Sequence, residues 1–272
     1  MSFFLDAQAA CRNKRCRVGS ANLGIVDNPD SCGEDSFFVS TNIVGVADGV
    51  GGWNENGVDP GAISRSLMKN AAKFINSATT SFTTQDVLDH AFKSAVADET
   101  VEAGSTTACI VRLKQSPSGR PVLEYTNLGD SGFAIIRQGV VVYRSKFQCY
   151  GRAPYQLAKV PLRFKLYGAI ENVPSDADSG EVEIEEGDVI VLATDGVWDN
   201  FSSDLLSASA FYPPLVSWRR NWQNEIASLT DVVQQDADKA AANVIKAALR
   251  HNLKPDDVTV IVARVVRVDS KL

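Results

Sequence analysis

Histidine is scarce in this 272-residue chain, with only His90 and His251, both within or at the end of segments that read as helices. No acidic motif therefore has a histidine near it in sequence. Cysteine is no more organised: Cys11, Cys16, Cys32, Cys109 and Cys149 are an odd number, widely spread and without a CxxC pair. That excludes a zinc knuckle and does not read as a disulfide framework, so a reducing compartment is expected. No apolar run approaches the ~20 residues of a transmembrane helix, so stable membrane insertion is not expected. Positive charge is not in excess: the net charge is −6, which gives no support for a nucleic-acid partner. Repeats, low-complexity stretches and linkers are missing too. The length fits one large domain or two small ones, and a 44% hydrophobic content can supply a sizeable core.

The start, Met1-Ser2-Phe3-Phe4-Leu5, is too short for a secretory signal. Arg12, Lys14, Arg15 and Arg17 follow, and Asp6 is the only acid before Asp27. This reads either as a leader over 1–16, similar to a mitochondrial transit segment, or as a plain basic terminus. Residues 1–16 are taken as a leader or targeting remnant and 17–272 as the folded domain. Mitochondrial localisation is expected, with the cytoplasm as the alternative.

Asn42–Ala47 reads as a buried strand. Asp59-Pro60 starts a helix whose Ile63, Leu67, Ala71 and Phe74 share a face, and a second helix starts near Thr84. Strands are expected near 106–113, 122–127, 133–137 and 140–143, with a tight turn at Gln138-Gly139. Residues 146–161 look irregular. Strands at 182–184 and 189–193, a helix near 203–210 stopped by Pro213-Pro214, an amphipathic helix over 232–249 and a strand over 258–266 complete the pattern. The order is not strict βαβα alternation. It favours a mostly antiparallel α+β domain with helices covering the sheet faces.

Two apolar runs stop abruptly at Asp-Gly, at Asp48-Gly49 and at Asp195-Gly196. Asp-Gly is a strong hairpin signal. Here a glycine-rich loop follows the first and a helix the second, so neither flank pairs back. Further acids stand at Glu34-Asp35, Asp130 and Asp256-Asp257; Asp130 or Asp256 alone could be a solvated turn residue. Gathered in one place they would repel one another unless they took up protons or bound cations. Oxygen ligands without histidine select Mg²⁺ or Mn²⁺. Glycine after the aspartate lets a backbone carbonyl approach the metal. Two such ions about 3.5–4 Å apart can activate a water and clamp a phosphate.

Gly33-Glu34-Asp35-Ser36, Val46–Trp53, Gly104–Ala108, Asn127–Gly132, Ala193–Asn200 and Pro255–Val260 resemble, in order, the motifs of the PPM (type 2C) metal-dependent serine/threonine phosphatases. The resemblance spans about Val18 to Val266, and Asp-Gly-Val-Gly-Gly-Trp is similar to the mitochondrial-type eukaryotic subgroup. It implies a four-layer α-β-β-α fold around a central antiparallel β-sandwich. It implies two Mg²⁺ or Mn²⁺ ions, with a weaker third, and phosphoprotein substrates attacked directly by a hydroxide held between two metals. Asp48 would bridge the metals, Gly49 would lend its carbonyl, and Asp195 and Asp256 would complete the shell. Glu34 would act through metal-bound water and Asp35 would orient a water. Asp130, with Asp195 and Asp199, matches the third site. A monomer is expected.

Two positions depart from the family. A histidine thought to protonate the leaving group is replaced by Val50, and an arginine that holds the substrate phosphate by Asp30. Arg17 or a basic residue of 146–165 is a candidate replacement for the arginine. These departures leave a non-catalytic, phosphoprotein-binding PPM-like domain as the alternative function. Cys11–Arg17 satisfies C-x5-R, but lacks the glycine-containing loop and following helix that a cysteine phosphatase needs. Trp218–Trp222 is an aromatic-basic cluster that reads as a surface insertion or a docking surface.

Overall fold

β-Branched residues crowd 43–46, 189–193 and 258–263, and all three segments are strands buried on both faces. The computed structural model describes residues 2–16, 23–167, 169–201, 239–251 and 255–268. Two five-stranded sheets dominate. One is ordered β1 (Ser2–Arg12), β14 (Val258–Val268), β13 (Val189–Ala193), β7 (Gly132–Arg137), β8 (Val140–Arg144). The other is ordered β12 (Asp178–Glu183), β6 (Pro121–Leu128), β5 (Ala108–Gln115), β3 (Ile43–Asp48), β2 (Asp35–Val39). Every neighbouring pair in both is antiparallel.

Strand alternation sorts the core. On β13, Ile190 and Leu192 face the other sheet, where they meet Val44, Val46, Val111 and Leu123. Val189, Val191 and Ala193 face the opposite way and pack with Val244, Ile245 and Ala248 of α4 (Ala240–His251) and Val197 of α3 (Asp195–Phe201). On β3, Ile43 and Ala47 face away from the sandwich, against Leu67 and Ala71 of α1 (Gly61–Ser77) and Val87, Leu88 and Ala91 of α2 (Thr84–Ala97). Helices, sheet, sheet and helices therefore stack in that order, as expected. Local chemistry sets the ends: Asp59 accepts from Gly61 N–H at 3.0 Å, and Thr83 with Asp86 forms a capping box for α2. Gln138 and Gly139 take φ of 50° and 80°, the pair of positive angles a tight hairpin needs.

Three expectations change. Residues 2–12, placed by the sequence in a leader or targeting remnant over 1–16 ahead of the folded domain, form β1, paired along its whole length with β14. Cys11 and Cys32 form a disulfide, although their spacing suggests no framework. The 146–161 segment contains the short pairs β9 (Cys149–Tyr150) with β10 (Ala153–Pro154) and β11 (Leu157–Lys159) with β4 (Gly104–Thr106). The helix expected at 203–210, its proline stop, the Trp218–Trp222 cluster, Arg17 and the first turns of the 232–249 helix lie outside the described residues.

Candidate active site

Asp35 opens β2 and Asp48 closes β3, and the register sets them directly opposite each other. The peptide of Asp48 is fixed from three sides. Its N–H donates to Thr107 Oγ1 (3.1 Å), and its carbonyl accepts from Thr107 N–H and Thr106 Oγ1, each at 2.9 Å. The Gly104–Ala108 motif thus holds the loop that carries the acid. Gly49 N–H donates to the Glu34 carbonyl at 3.0 Å, and a Cβ at Gly49 would run into the carbonyls of Pro60 and Glu34. Close approach of backbone explains this glycine.

The second sheet brings the other acids. Asp195 follows β13 through Thr194, and Asp256-Asp257 leads into β14. Thr194 Oγ1 donates to Asp35 Oδ2 (2.9 Å) and accepts from Thr259 N–H (3.1 Å), so one hydroxyl joins the two sheets beneath the site. Asp257 is the acid that sequence reasoning left without a role. Its carboxylate accepts from the N–H groups of Glu34 (2.8 Å) and Lys14 (2.6 Å), fixing two loops at once. Glu34 is buried, and its Oε1 accepts from Asn54 Nδ2 at 3.0 Å.

Crowding has an electrostatic signature. Burial, then the charges of Asp35, Asp195, Asp256 and Asp130, push the Asp48 carboxyl well above its ordinary range. Burial and the charges of Asp257 and Asp195 do the same to Asp35, whose buried Oδ1 makes no hydrogen bond. Cys149 marks the position of the remaining acids. Its thiol is pushed up to about 11, by burial first and then by Asp130, Asp199 and Asp195. Every acid expected at the site except Glu34 is thus within electrostatic reach of Asp48 or Cys149.

These residues suit a hard divalent cation by donor type and by excess negative charge. Among the described residues, however, no three acids, histidines or cysteines already form a cation cage. An ammonium stands among them instead: Lys14 Nζ lies 2.8 Å from Glu34 Oε2, 3.2 Å from Asp256 Oδ1 and 3.8 Å from Asp257 Oδ2. Its only signal in the sequence is the basic run that resembles a leader.

The remaining candidates separate clearly. Val50 packs with Trp53, Val58 and Ala103 and borders a cleft of about 250 Å³, where it offers no proton. Asp30 is exposed on the turn Pro29–Ser31. Cys11 is buried and disulfide-bonded, so the C-x5-R match has no thiolate. His90 stacks on Phe74 at 4.4 Å between α1 and α2.

A family model described as Stage II sporulation protein E (SpoIIE) matches residues 41–266. The chain is 33% identical over 251 residues to "Protein phosphatase PTC7 homolog fig" of Drosophila willistoni, covering 86% of this chain and 77% of that protein. It is also 33% identical over 265 residues to "Protein phosphatase 2C homolog 7, mitochondrial" of Saccharomyces cerevisiae, covering 86% and 74%. The chain belongs to the PTC7-type protein phosphatases of the PPM family. The photosystem II phosphatase PBCP has the same fold, with a TM-score of 0.71 at 25% identity over 97% of this chain and 100% of that one. So does the catalytic domain of the serine/threonine phosphatase PstP, solved with two manganese ions, with a TM-score of 0.61 at 18% identity over 98% and 100%.

Membership of the type 2C protein phosphatases is what the resemblance implied. The yeast relative's mitochondrial designation agrees with the expected localisation; of the basic residues that prompted it, Arg12 closes β1. No helix among the described residues is long and apolar enough to cross a membrane.

Proposed function

We propose that the enzyme removes phosphate from phosphoserine and phosphothreonine in proteins by direct attack of water at a two-ion Mg²⁺ or Mn²⁺ centre. When bound, the ions supply a nucleophilic water at neutral pH and polarise the phosphoryl group. Asp48 at the end of β3, the Gly49 carbonyl beside it, and Asp195 and Asp256 from the other sheet would hold the ions. Asp35, which accepts from Thr194, and Glu34, which accepts from Asn54, would orient the water that the ions activate. Asp130 and Asp199, with Asp195, would hold a weaker third ion.

One observation carries this reading: Asp35 stands opposite Asp48 at the end of one sheet, and Thr194 and Asp257 of the other sheet's strand ends are hydrogen-bonded to Asp35 and to the Glu34 backbone. Val50 favours the second reading, a domain that binds phosphoproteins without turning them over. Manganese-dependent hydrolysis of a phosphothreonine peptide separates the two. The wild type should turn over and lose activity to chelator. Asp48→Asn should lose on the order of 100-fold or more, since even outer-shell changes around a metal cost roughly 10–100-fold. Equal rates for Asp48→Asn and wild type would sink the metal mechanism. Tight peptide binding by a wild type without turnover would establish the second reading.

A further inference from the structure

A substrate phosphate is a dianion, and the acidic loops of this site offer it no attraction of their own. Divalent ions offset part of the repulsion, but recognition of the phosphate also calls for a protein donor. Asp30 is exposed and carries the wrong charge. Lys14 brings an ammonium into the acidic cluster, and its place there is built by several independent ties. Arg12, at the end of β1, donates from Nε to the Leu23 carbonyl and from Nη2 to the Cys16 carbonyl, both at 2.9 Å, closing the loop on either side of Lys14. The Cys11–Cys32 disulfide pins the end of β1 to the turn ahead of Gly33-Glu34. Lys14 N–H donates to Asp257, the same carboxylate that receives Glu34 N–H. The Lys14 backbone therefore moves as one unit with Glu34. Its side chain stays about 30% exposed, with a route to solvent, while Nζ lies between Glu34 and Asp256.

We propose that Lys14 is the phosphate-binding residue of this enzyme. Its ammonium pairs with Glu34 and Asp256 when those acids carry no cation. With that charge neutralised by bound divalent ions, it would be free to reach a phosphoryl oxygen. The flexible four-carbon stem permits the move, and three rotatable donors suit a tetrahedral anion. The proposal rests on the metal-centre reading above for the charge that releases Lys14. Two rivals use the same contacts. Lys14 could be a structural ion pair that shapes the metal shell, or a surface cation indifferent to phosphate.

The test compares wild type, Lys14→Met and Lys14→Arg, each verified as folded by circular dichroism. It measures inhibition by inorganic phosphate, KM and kcat for a phosphothreonine peptide, and Mn²⁺ affinity by calorimetry on chelator-stripped protein. For Lys14→Met, the phosphate inhibition constant and KM should rise roughly ten-fold or more, as for loss of a charged hydrogen bond. Manganese affinity should stay the same or tighten, because a competing cation has gone. Lys14→Arg should recover most of the phosphate affinity. Unchanged phosphate inhibition in Lys14→Met overturns the proposal in favour of the indifferent cation. Weaker manganese binding in that variant overturns it in favour of the structural pair. Should Lys14→Met not fold, Lys14→Gln, which keeps a donor without the charge, gives the same comparison. A wild type without manganese-dependent turnover would strike the catalytic reading instead. Calorimetric titration of phosphate into the manganese-loaded wild type and variant would still decide the role of Lys14.

Discussion

Asp48 concentrates the chemistry of the site in one carboxyl, and its titration gives a direct test. Its proton affinity is raised in the folded protein above the ordinary value of 3.8. The unfolded chain therefore gives up this proton first as pH rises. Between the unfolded and folded values the unfolded state gains charge that the folded state still refuses, so folding weakens with increasing pH. Asp35 has the same sign. Metal-free protein should lose melting temperature as pH rises above the ordinary carboxylate value of 3.8 through these groups. Manganese, which relieves the repulsion, should raise the melting temperature more at the higher pH. Scanning fluorimetry with chelator and with Mn²⁺ checks this; a metal-induced shift that shrinks with pH would contradict it. Asp48 and Asp195 were legible in the sequence because an apolar run ending in Asp-Gly is a local pattern. Asp257 and Lys14 were not. Their roles come from one carboxylate accepting N–H groups from residues 14 and 34, which lie more than two hundred positions away in the chain.

The loop between the turn Pro29–Ser31 and β2 turns that carboxylate into a structural constraint. Gly33 sits at φ +83°, and a Cβ there would meet the Asp257 carboxylate oxygens at 2.5 Å. Gly33→Ala should therefore combine backbone strain with displacement of Asp257, costing about 1–3 kcal/mol. Because Asp257 also positions Glu34 and Lys14, manganese binding should weaken along with stability. Thermal unfolding and metal calorimetry on the variant measure both; lost stability with intact metal affinity would show that Asp257 does not shape the site. Most elements could be read locally. The β13 bounds agree with the sequence reading, as do the face of α1 and the start of α2, because burial period and capping chemistry are written within each segment. β1 could not be read this way. Its partner β14 begins near the other end of the chain, and Arg12 at its close opens a basic run similar to a targeting segment. The disulfide escaped for the same reason: only the packing of β1 against the Pro29–Ser31 turn brings Cys11 to Cys32.

At the scale of the molecule, the active site is a property of two sheets meeting, so whatever holds the sheets together also holds the acids. β1 contributes to that more than an edge strand usually does. It covers the edge of β14 through eleven register pairs, from Ser2↔Val268 to Arg12↔Val258. It places Leu5 and Cys11 in the core between the sheets, beside Ile261 and Val265. It also supplies one end of the disulfide and leads directly into Lys14. Removing residues 2–12 would forfeit burial worth roughly 1.5–3 kcal/mol for Leu5 alone. Loss of the disulfide across its 21-residue separation would cost about 3 kcal/mol more. Against a typical net stability of roughly 5–15 kcal/mol, that is a large fraction. The bared β14 edge would add a route to aggregation. Protein beginning at Asn13 is therefore expected to be poorly soluble or to unfold without a cooperative transition, where removal of a true leader would leave the enzyme intact. Size-exclusion chromatography and thermal unfolding of the shortened chain distinguish these outcomes. A soluble species with the melting temperature and manganese-dependent activity of the full chain would return β1 to the status of a dispensable leader.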